Sequence, residues 1–361
     1  MTVLFTGGGT LGSVTPLLAV AEELRRVKPR TSFVWIGTMR GPERALVERE
    51  TIAFIALPAG KLRRYWSWQN LVDPFVIAWA FFRALFVLRR VRPNVVVGAG
   101  SYVQVPVMLA ARALRIPIVI HQLDVRPTLA NTLVARFAAS VTTTFPQEEG
   151  SRAAAIGTPV RRAILAARNA DQREAKRHFG FNGDRPVLLV LGGGTGALAV
   201  NERVWGALAE LTKQVDIIHV AGRGKMNDTF AEVGGPRYRQ CELLTDDLIP
   251  AYAAADLVVS RAGIGTIAEL GVLGKSTVLI PMPDTHQEDN CIPLERTGAV
   301  EVWHERGLKS ADVFASRVLA LLHDATHRRA LGTALAAMFP KNAAAALAAI
   351  VERVTIKRKQ R

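Results

Sequence analysis

The amino-acid sequence predicts an α/β protein of two Rossmann-like halves, with parallel sheets that face each other across a ligand cleft. The segment Gly-Gly-Gly-Thr occurs twice, at 7–10 and 192–195, each time after a short apolar run. Each copy precedes a helical pattern, at 16–26 and 197–211. A strand, a glycine turn and a helix suit a phosphate group, because glycine lets backbone N–H groups approach an anion and the helix N-terminus adds positive potential.

Apolar runs rich in Val, Ile and Leu alternate with helical patterns along the whole chain. Such runs are typical of parallel sheets covered by helices on both faces. The predicted strands are 33–36, 95–97, 118–120, 141–144, 187–191, 217–220, 257–259 and 278–280.

The length of 361 residues favours two domains over one. The segment 157–160 is a plausible linker, and we place the boundary near residue 163. We therefore predict an N-terminal domain at 1–163 and a C-terminal domain at 164–342. A final helix and basic tail, 343–361, could pack back on the first domain.

Bulk composition restricts the class of protein. Cys241 and Cys291 are the two cysteines, so we expect a reducing cytoplasm and no disulfide framework, and no secretory signal pattern opens the sequence. The net charge is +15, and residues 1–160 carry 19 Lys and Arg against 9 Asp and Glu. This imbalance favours an anionic partner, either a membrane surface, a pyrophosphate-bearing lipid or nucleic acid, although general solubility is an alternative explanation.

The segment 74–92 combines aromatic and basic residues. Its apolar core, 75–88, has 14 residues including Arg83 and is too short to span a bilayer. Flanking arginines and aromatic rings suit a helix in the headgroup layer, whereas the alternative is a helix buried against the sheet. We predict partial burial together with membrane contact through Trp79, Phe82, Arg83, Phe86, Arg89 and Arg90.

Polar residues follow the predicted strands at positions suited to a ligand. In the first half these are the segment 98–103, then His121, Asp124 and Asn131; His121 and Asp124 offer proton-transfer groups. In the second half, the segment 260–269 opens a helix whose first N–H groups would cap a phosphate, and the polar run 281–290 supplies amides suited to sugar hydroxyls.

Two other chemistries are disfavoured. The first glycine loop lacks the strict dinucleotide spacing, and no acidic residue ends the second strand, which argues against a nicotinamide dehydrogenase. Asp246 and Asp247 precede a helix and are better explained as N-cap residues than as metal ligands, so we expect no metal site and no obligatory metal.

The chain resembles the membrane-associated N-acetylglucosaminyltransferases of peptidoglycan synthesis, the MurG family of GT-B glycosyltransferases. The resemblance extends over nearly the whole chain, and its last two blocks are the most specific. It rests on residues 8–16, 98–103, 121–131, 157–161, 192–201, 260–269 and 286–295.

The resemblance implies that the C-terminal domain holds UDP-N-acetylglucosamine (UDP-GlcNAc). Thr245 would meet the uracil through its backbone, Glu269 the ribose hydroxyls, and Ile264, Gly265 and Thr266 the α-phosphate. His286 and Gln287 would hold the sugar, and Arg161 would lie near the diphosphate. Other donor contacts would come from Thr10, Asn131, Gly194, Thr195 and Asn201.

For the N-terminal domain the resemblance implies an acceptor, undecaprenyl-pyrophosphoryl-MurNAc-peptide (lipid I), and a peripheral position on the cytoplasmic face of the membrane. The lipid pyrophosphate is expected at two glycine loops, through Gly9, Leu11, Gly12, Gly100, Ser101 and Tyr102.

The sequence departs from the family pattern at its loops. In the first loop, this chain has Leu11 where the family usually has glycine and Ser13 where it usually has histidine. In the second glycine loop, Gly194 and Thr195 stand where Ser-Gln is usual. The usual segment His-Glu-Gln-Asn is replaced here by His-Gln-Leu-Asp at 121–124. Ser13, His121 and Asp124 are the candidate catalytic residues, and Asp124 could supply the carboxylate base that the missing histidine would otherwise provide.

The implied reaction is inverting transfer of N-acetylglucosamine to the MurNAc 4-hydroxyl of lipid I. Two alternatives remain open: a divergent GT-B glycosyltransferase with another acceptor, and a membrane protein that binds a UDP-sugar without catalysis. A nucleic-acid partner is not expected, because it would explain the charge but not the ordered donor motifs.

Overall fold

The structure is a computed structural model that describes residues 1–58, 60, 69–147, 150–192 and 197–359, with the backbone alone at 69–74 and 357–359. The chain forms two compact units. The first consists of Met1–Arg161 and Lys341–Arg361, and the second of Arg162–Pro340. The last segment of the chain therefore belongs to the N-terminal unit.

The first unit is built on a seven-stranded parallel sheet in the order β3-β2-β1-β4-β5-β6-β7. Chain order reverses between β1 and β4, which is the place where open α/β sheets bind ligands. The strands are β1 Thr2–Thr6, β2 Ser32–Thr38, β3 Ala53–Leu57, β4 Val95–Gly98, β5 Ile118–Gln122, β6 Ser140–Thr143 and β7 Ala154–Ala155.

Helices cover this sheet, and the apolar strands are buried as expected for a doubly covered parallel sheet. The last helix packs on the first, and Lys28 pairs with Glu352 at 3.1 Å. The helices are α1 Thr15–Val27, α2 Glu43–Arg49, α3 Gln69–Val91, α4 Gln104–Ala113, α5 Leu129–Ala135 and α15 Ala343–Lys359.

The second unit has a six-stranded parallel sheet in the order β10-β9-β8-β11-β12-β13, with its reversal between β8 and β11. Its strands are β8 Val187–Leu191, β9 Asp216–Val220, β10 Tyr238–Cys241, β11 Leu257–Ser260, β12 Thr277–Leu279 and β13 Glu301–Val302. Its helices are α6 Arg162–Ala166, α7 Gln172–His178, α8 Leu198–Leu211, α9 Asp228–Gly234, α10 Leu248–Ala254, α11 Ile264–Leu273, α12 His286–Arg296, α13 Ala311–His323 and α14 Ala325–Met338.

The two parallel sheets confirm the predicted α/β class. All eight predicted strands are present. The strands β3, β7, β10 and β13 were not predicted, because their sequences carry few consecutive Val, Ile or Leu residues.

The helix α3 has 23 residues, longer than the 14-residue apolar core of its sequence. Ala80, Ala84 and Leu88 lie on one face and are buried against the unit. The opposite face, at spacings of four and three residues, is exposed: Phe75, Trp79, Phe82 and Phe86 are between 63% and 77% accessible. We call these four residues the outer face of α3.

Among the described residues, one stretch, Ala325–Ile356, is long and apolar enough to cross a membrane by length and composition. It comprises most of α14 and α15, which residues 339–342 separate and which belong to different units. In the structure, 44% of its apolar window is buried inside the protein.

Candidate functional site

In the first unit, two predicted loops meet where the strand order reverses. The loop after β1 contains Gly9, and the loop after β4 contains Gly100, Ser101 and Tyr102. The Ser101 hydroxyl donates to the carbonyl of Gly8 at 2.8 Å, so the two loops are joined. Both Gly9 and Gly100 have positive φ, at 83° and 99°, which favours glycine at these turns.

A buried carboxylate that sequence reasoning missed fixes the first loop. Glu43, at the start of α2, is fully buried, and its Oε2 accepts the backbone N–H of Gly9 at 3.2 Å. Its Oε1 accepts the backbone N–H of Thr38 at 2.7 Å and the Thr38 hydroxyl at 2.5 Å. The N–H of Gly9 is therefore already used in this conformation, and the expected contact of Gly9 with the lipid pyrophosphate stays a prediction.

Tyr102 covers the same loop. A Cβ atom on Gly9 would lie 2.9 Å from the Tyr102 ring, so the ring packs directly on the glycine. Burial raises the pKa of Tyr102, and the charge of Glu43 raises it further. The Tyr102 hydroxyl is thus a neutral hydrogen-bonding group at neutral pH.

The remainder of the first loop is a short 3₁₀ turn, Leu11–Ser13, that leads into α1. Thr10 and Gly12 are exposed and Leu11 is half-buried, so this turn exposes backbone groups and no charged side chain. Ser13 is buried, and no described residue partners its hydroxyl. The family histidine is therefore replaced by a group that does not reach the surface of the loop.

Three buried amides connect the remaining loops of this unit. Gln104 accepts the N–H of Gly100 at 3.0 Å and donates to Asn131 at 2.6 Å. Asn131 in turn donates to the Gln122 side chain at 2.5 Å, and Gln122 donates to the carbonyl of Asp124 at 2.7 Å. Because the Asn131 amide is occupied in this chain of bonds, it positions loops and its predicted direct donor contact is not supported.

His121 is fully buried inside β5. Its Nδ1 lies 2.9 Å from the Thr142 hydroxyl, and its Nε2 is buried without a described partner. Burial lowers the pKa of His121 to about 3. A neutral imidazole in the core cannot exchange protons with a ligand, so the prediction of a catalytic His121 is corrected. Asp124, two residues beyond the strand, is only half-buried.

Arg161 is the last residue of the first segment of this unit and is half-buried. Its Nε is buried and has no partner among the described residues. A guanidinium with an unpartnered N–H retains the capacity to bind an anion.

In the second unit, the start of α11 is the place where a phosphate site was predicted. Gly263 is the N-cap residue in extended conformation and makes no side-chain cap. Within the described part of the chain, the N-cap residue therefore leaves the first N–H groups of α11 without a side-chain cap, an arrangement that suits an anion. Ile264 is buried, whereas Gly265 and Thr266 are partly exposed, so the helix start is accessible on the side of these two residues.

Glu269 lies one turn further along α11 and is half-buried. Its Oε2 accepts the hydroxyl of Tyr252 at 2.6 Å. Tyr252 belongs to α10 and is buried. Glu269 was expected from the family resemblance, whereas Tyr252 was not predicted.

The loop after β12 is fixed to the same helix start. Arg261 donates to the carbonyls of Ile280 and Pro281 at 3.0 and 3.2 Å and pairs with Glu305. The Asn290 side chain donates to the carbonyl of Ala262 at 3.2 Å. Arg261 and Asn290 therefore hold this loop in position.

Two predicted sugar-binding residues lie at the start of α12. Thr285 caps that helix by accepting the N–H of Gln287 at 3.3 Å. The Gln287 Oε1 accepts the N–H of Met282 at 3.1 Å, and His286 is exposed. The side-chain amide nitrogen of Gln287 can donate a hydrogen bond to a hydroxyl group.

The prediction that Asn201 contacts the donor is corrected. Asn201 is fully buried, its Nδ2 donates to the carbonyl of Ala221 at 2.9 Å, and its Oδ1 lies 3.0 Å from Nε2 of His219. His219 also contacts the hydroxyl of Tyr238 at 2.8 Å. Asn201 is therefore part of a core network.

Of the remaining predicted donor residues, the structure describes Thr245 but not Gly194 or Thr195. Thr245 is exposed in the loop between β10 and α10. Gly194 and Thr195 lie outside the described residues. In the described ranges, no group of three His, Cys, Asp or Glu side chains is arranged to hold a metal ion.

Comparison with known sequences gives matches in both units. Residues 3–143 match the N-terminal domain of glycosyltransferase family 28, and residues 187–347 match the C-terminal domain of that family. A Clostridium kluyveri protein named UDP-N-acetylglucosamine–N-acetylmuramyl-(pentapeptide) pyrophosphoryl-undecaprenol N-acetylglucosamine transferase is 38% identical over 284 residues, 78% of each chain. A protein of the same name from Clostridium botulinum is 34% identical over 319 residues, 86% of this chain and 88% of its own.

Solved structures give a consistent result. The crystal structure of Acinetobacter baumannii MurG aligns with a TM-score of 0.76 at 25% identity, over 98% of this chain and 99% of that chain. A UDP-GlcNAc 2-epimerase from Neisseria meningitidis, solved with UDP-GlcNAc, aligns with a TM-score of 0.67 at 13% identity over 98% of this chain and 100% of its own, and shares the fold alone.

Proposed function

The chain belongs to the MurG family of N-acetylglucosaminyltransferases, and from this membership we propose that it transfers N-acetylglucosamine from UDP-GlcNAc to lipid I. The attacking group is the 4-hydroxyl of MurNAc, and the product is the β-1,4-linked lipid II used in peptidoglycan synthesis. The observation that carries the proposal is the helix start at Gly263–Thr266, with its uncapped N–H groups and the oriented carboxylate of Glu269 one turn away.

The donor is held by the second unit. The uncapped N–H groups at the start of α11 bind the α-phosphate of UDP, and Glu269 accepts hydrogen bonds from ribose hydroxyls. The backbone at Thr245 meets the uracil, and Gln287 with His286 holds the sugar. Arg161 contributes a guanidinium toward the diphosphate, which its unpartnered Nε supports.

The chemistry is a direct displacement at the anomeric carbon of the donor sugar. The acceptor oxygen forms the new glycosidic bond as the bond to the β-phosphate oxygen breaks, with inversion at that carbon. UDP leaves as a diphosphate that helix N–H groups stabilise. Asp124 takes the proton from the 4-hydroxyl, since Ser13 and His121 are buried and Asp124 is accessible. The reaction needs no metal in this scheme.

The acceptor is received by the first unit. The 3₁₀ turn Leu11–Ser13 and the loop at Gly100–Tyr102 provide the surface for its polar part. The Gly9 N–H is bonded to Glu43, so the pyrophosphate is met by the turn and the second loop instead.

The outer face of α3 is the membrane contact. It presents four aromatic side chains that the unit does not bury, and Arg83, Arg89 and Arg90 are exposed on the same helix. Aromatic rings with neighbouring cations suit the interface of an anionic bilayer. The enzyme therefore works as a peripheral protein on the cytoplasmic face of the membrane, where a polyprenyl acceptor is presented.

One experiment tests the proposal directly. UDP release from UDP-GlcNAc is measured in detergent with and without a lipid I analogue, and the mass of the lipid product is determined by mass spectrometry. Lipid-dependent release with the addition of one N-acetylhexosamine is the expected result. UDP-GlcNAc binding without any transfer to lipid I would overturn it.

The replacement at Ser13 favours a second candidate, a divergent acceptor. Where the family has a histidine, this chain has a buried hydroxyl without a described partner, so the acceptor loop lacks an expected polar group. In that case, UDP release would depend on another lipid or small-molecule acceptor. A protein that only binds UDP-sugar would show donor binding and no release with any acceptor.

A further inference from the structure

We propose that Tyr252 is a positioning residue that sets the preference of this protein for ribose over deoxyribose in its nucleotide. It acts by fixing the carboxylate of Glu269 through the 2.6 Å hydrogen bond from its hydroxyl. The inference rests on the proposed function in one respect, because it requires that Glu269 meets the ribose.

Tyr252 is held firmly in the second unit. The tyrosine is buried on α10, which packs against α7. A buried tyrosine hydroxyl requires a hydrogen-bond partner, and the Oε2 atom of Glu269 is such a partner. Glu269 is half-buried on α11, and the Tyr252 hydroxyl binds one of its two carboxylate oxygens.

The hydrogen bond from Tyr252 orients the whole carboxylate group of Glu269. A hydrogen bond between a hydroxyl and a carboxylate is charge-assisted and stronger than a bond between neutral groups. When Oε2 is held by a rigid ring, the plane of the carboxylate and the direction of Oε1 are set as well. A carboxylate with a fixed plane can accept from a hydroxyl only at a defined place, which is the requirement for distinguishing a ribose from a deoxyribose.

The position of Glu269 agrees with this role. It follows the uncapped start of α11 by one helical turn, so a phosphate on the helix N-terminus and a hydroxyl on the carboxylate would lie on one side of the helix. A nucleoside diphosphate has this order of groups: the phosphate is joined directly to a sugar with two hydroxyls.

The second unit supplies a matched control. Tyr238 is also buried, and its hydroxyl donates to the Oε1 of Gln240 at 2.8 Å and contacts His219, outside the residues proposed to bind the nucleotide. Replacing either tyrosine by phenylalanine removes one buried hydroxyl and keeps the ring. Both variants lose buried hydrogen bonds, including those of Tyr238 to Trp205, His219 and Gln240, and only Tyr252→Phe removes the bond to Glu269.

The experiment is calorimetric titration of the full-length chain with UDP, 2′-deoxy-UDP and 3′-deoxy-UDP. We expect the wild-type protein to bind UDP about tenfold more tightly than at least one deoxy analogue, as is typical of a lost hydrogen bond to a charged group. In Tyr252→Phe this ratio falls to about threefold or less, because UDP binding weakens and binding of that analogue does not. Tyr238→Phe keeps the wild-type ratio.

Two further outcomes distinguish a failure of the ribose contact at Glu269 from a failure of the positioning role of Tyr252. If Glu269→Gln binds UDP as tightly as wild type, the ribose contact in the proposed function fails. If Glu269→Gln loses the ratio while Tyr252→Phe keeps it, the positioning role of Tyr252 is overturned. Because both Kd values come from one protein sample, partial unfolding of a variant weakens both equally and leaves their ratio unchanged.

Discussion

The carboxylate of Glu43 accepts the backbone N–H of Gly9 across 34 residues of sequence, so a fully buried charge shapes the first glycine loop. Its other oxygen accepts the N–H of Thr38 at 2.7 Å, which joins the ends of β1 and β2. A buried carboxylate is costly unless N–H and O–H groups satisfy it. The loop conformation and the position of the Glu43 carboxylate are therefore interdependent.

Gly41→Ala should disrupt this arrangement. A Cβ atom at Gly41 would lie 1.8 Å from Oε2 of Glu43, so the carboxylate must move away from the N–H of Gly9. We expect a loss of about 2–3 kcal/mol in the free energy of unfolding, measured by urea denaturation. Gly12→Ala is the control, since its nearest neighbour lies at 3.9 Å, and equal stability of both variants would contradict the role of Glu43.

Asn131→Ala should destabilise the first unit. The change leaves the side chains of Gln104 and Gln122 buried, each without the partner it has in the amide chain. Unsatisfied buried amides predict a loss of about 3 kcal/mol in urea unfolding. Thr132→Ala, on the exposed side of the same helix, should change it by less than about 0.5 kcal/mol. Similar values for the two variants would refute the prediction.

Stability should fall as the pH decreases below about 6.5. Burial lowers the pKa of His121 and of His219 to about 3 each, so the unfolded chain binds protons there before the folded protein does. Between the two pKa values each histidine reduces the free energy of unfolding by about 1.4 kcal/mol per pH unit, and above pH 6.5 neither contributes. Urea unfolding from pH 7.5 to 4.5 measures this slope. We expect His121→Gln to have a shallower slope than wild type, and an unchanged slope would contradict the assignment.

Removing the outer face of α3 should release the protein from membranes. In Trp79/Phe82/Phe86→Ser, three exposed aromatic rings are lost from a face that does not pack in the unit, so the fold is retained. We expect at least about a tenfold loss of recovery in flotation with anionic vesicles. The control is Val27/Val233→Ser, which removes exposed apolar side chains elsewhere, and equal flotation of the two variants would overturn the membrane assignment.

Asp124→Asn should slow turnover if Asp124 is the base. We expect kcat to fall by about a hundredfold or more while KM for UDP-GlcNAc changes by less than about twofold, because the amide cannot accept the proton. Glu48→Gln, an exposed carboxylate of the same unit, should keep the wild-type rate. Full turnover by Asp124→Asn would exclude this residue as the base.

Much of the fold was predictable because a parallel sheet buries whole strands. Apolar runs such as Val95–Gly98 and Leu257–Ser260 need no partner sequence to be recognised, and the glycines after them mark where ligands can approach. The helix start at Ile264 could be placed for the same reason.

The direction in which a polar side chain points was not predictable. Glu43 lies in a charged stretch that is typical of an exposed helix, and its burial depends on Gly9 and Thr38 far away in sequence. His121 and Asn201 lie at predicted strand and helix ends, yet both point into the core. Hydrophobic periodicity assigns a residue to an element but does not reveal which neighbours satisfy a polar atom.

The return of α15 to the first unit has a consequence for biosynthesis. Leu347 and Val351 are fully buried there, and they follow the whole second unit in chain order. The second unit, Arg162–Pro340, is complete in sequence before the first unit is, which reverses the usual order in which domains finish folding during synthesis. Until α15 has been synthesised, the apolar surface that it covers in the first unit is exposed, so we expect chaperones to bind the N-terminal half.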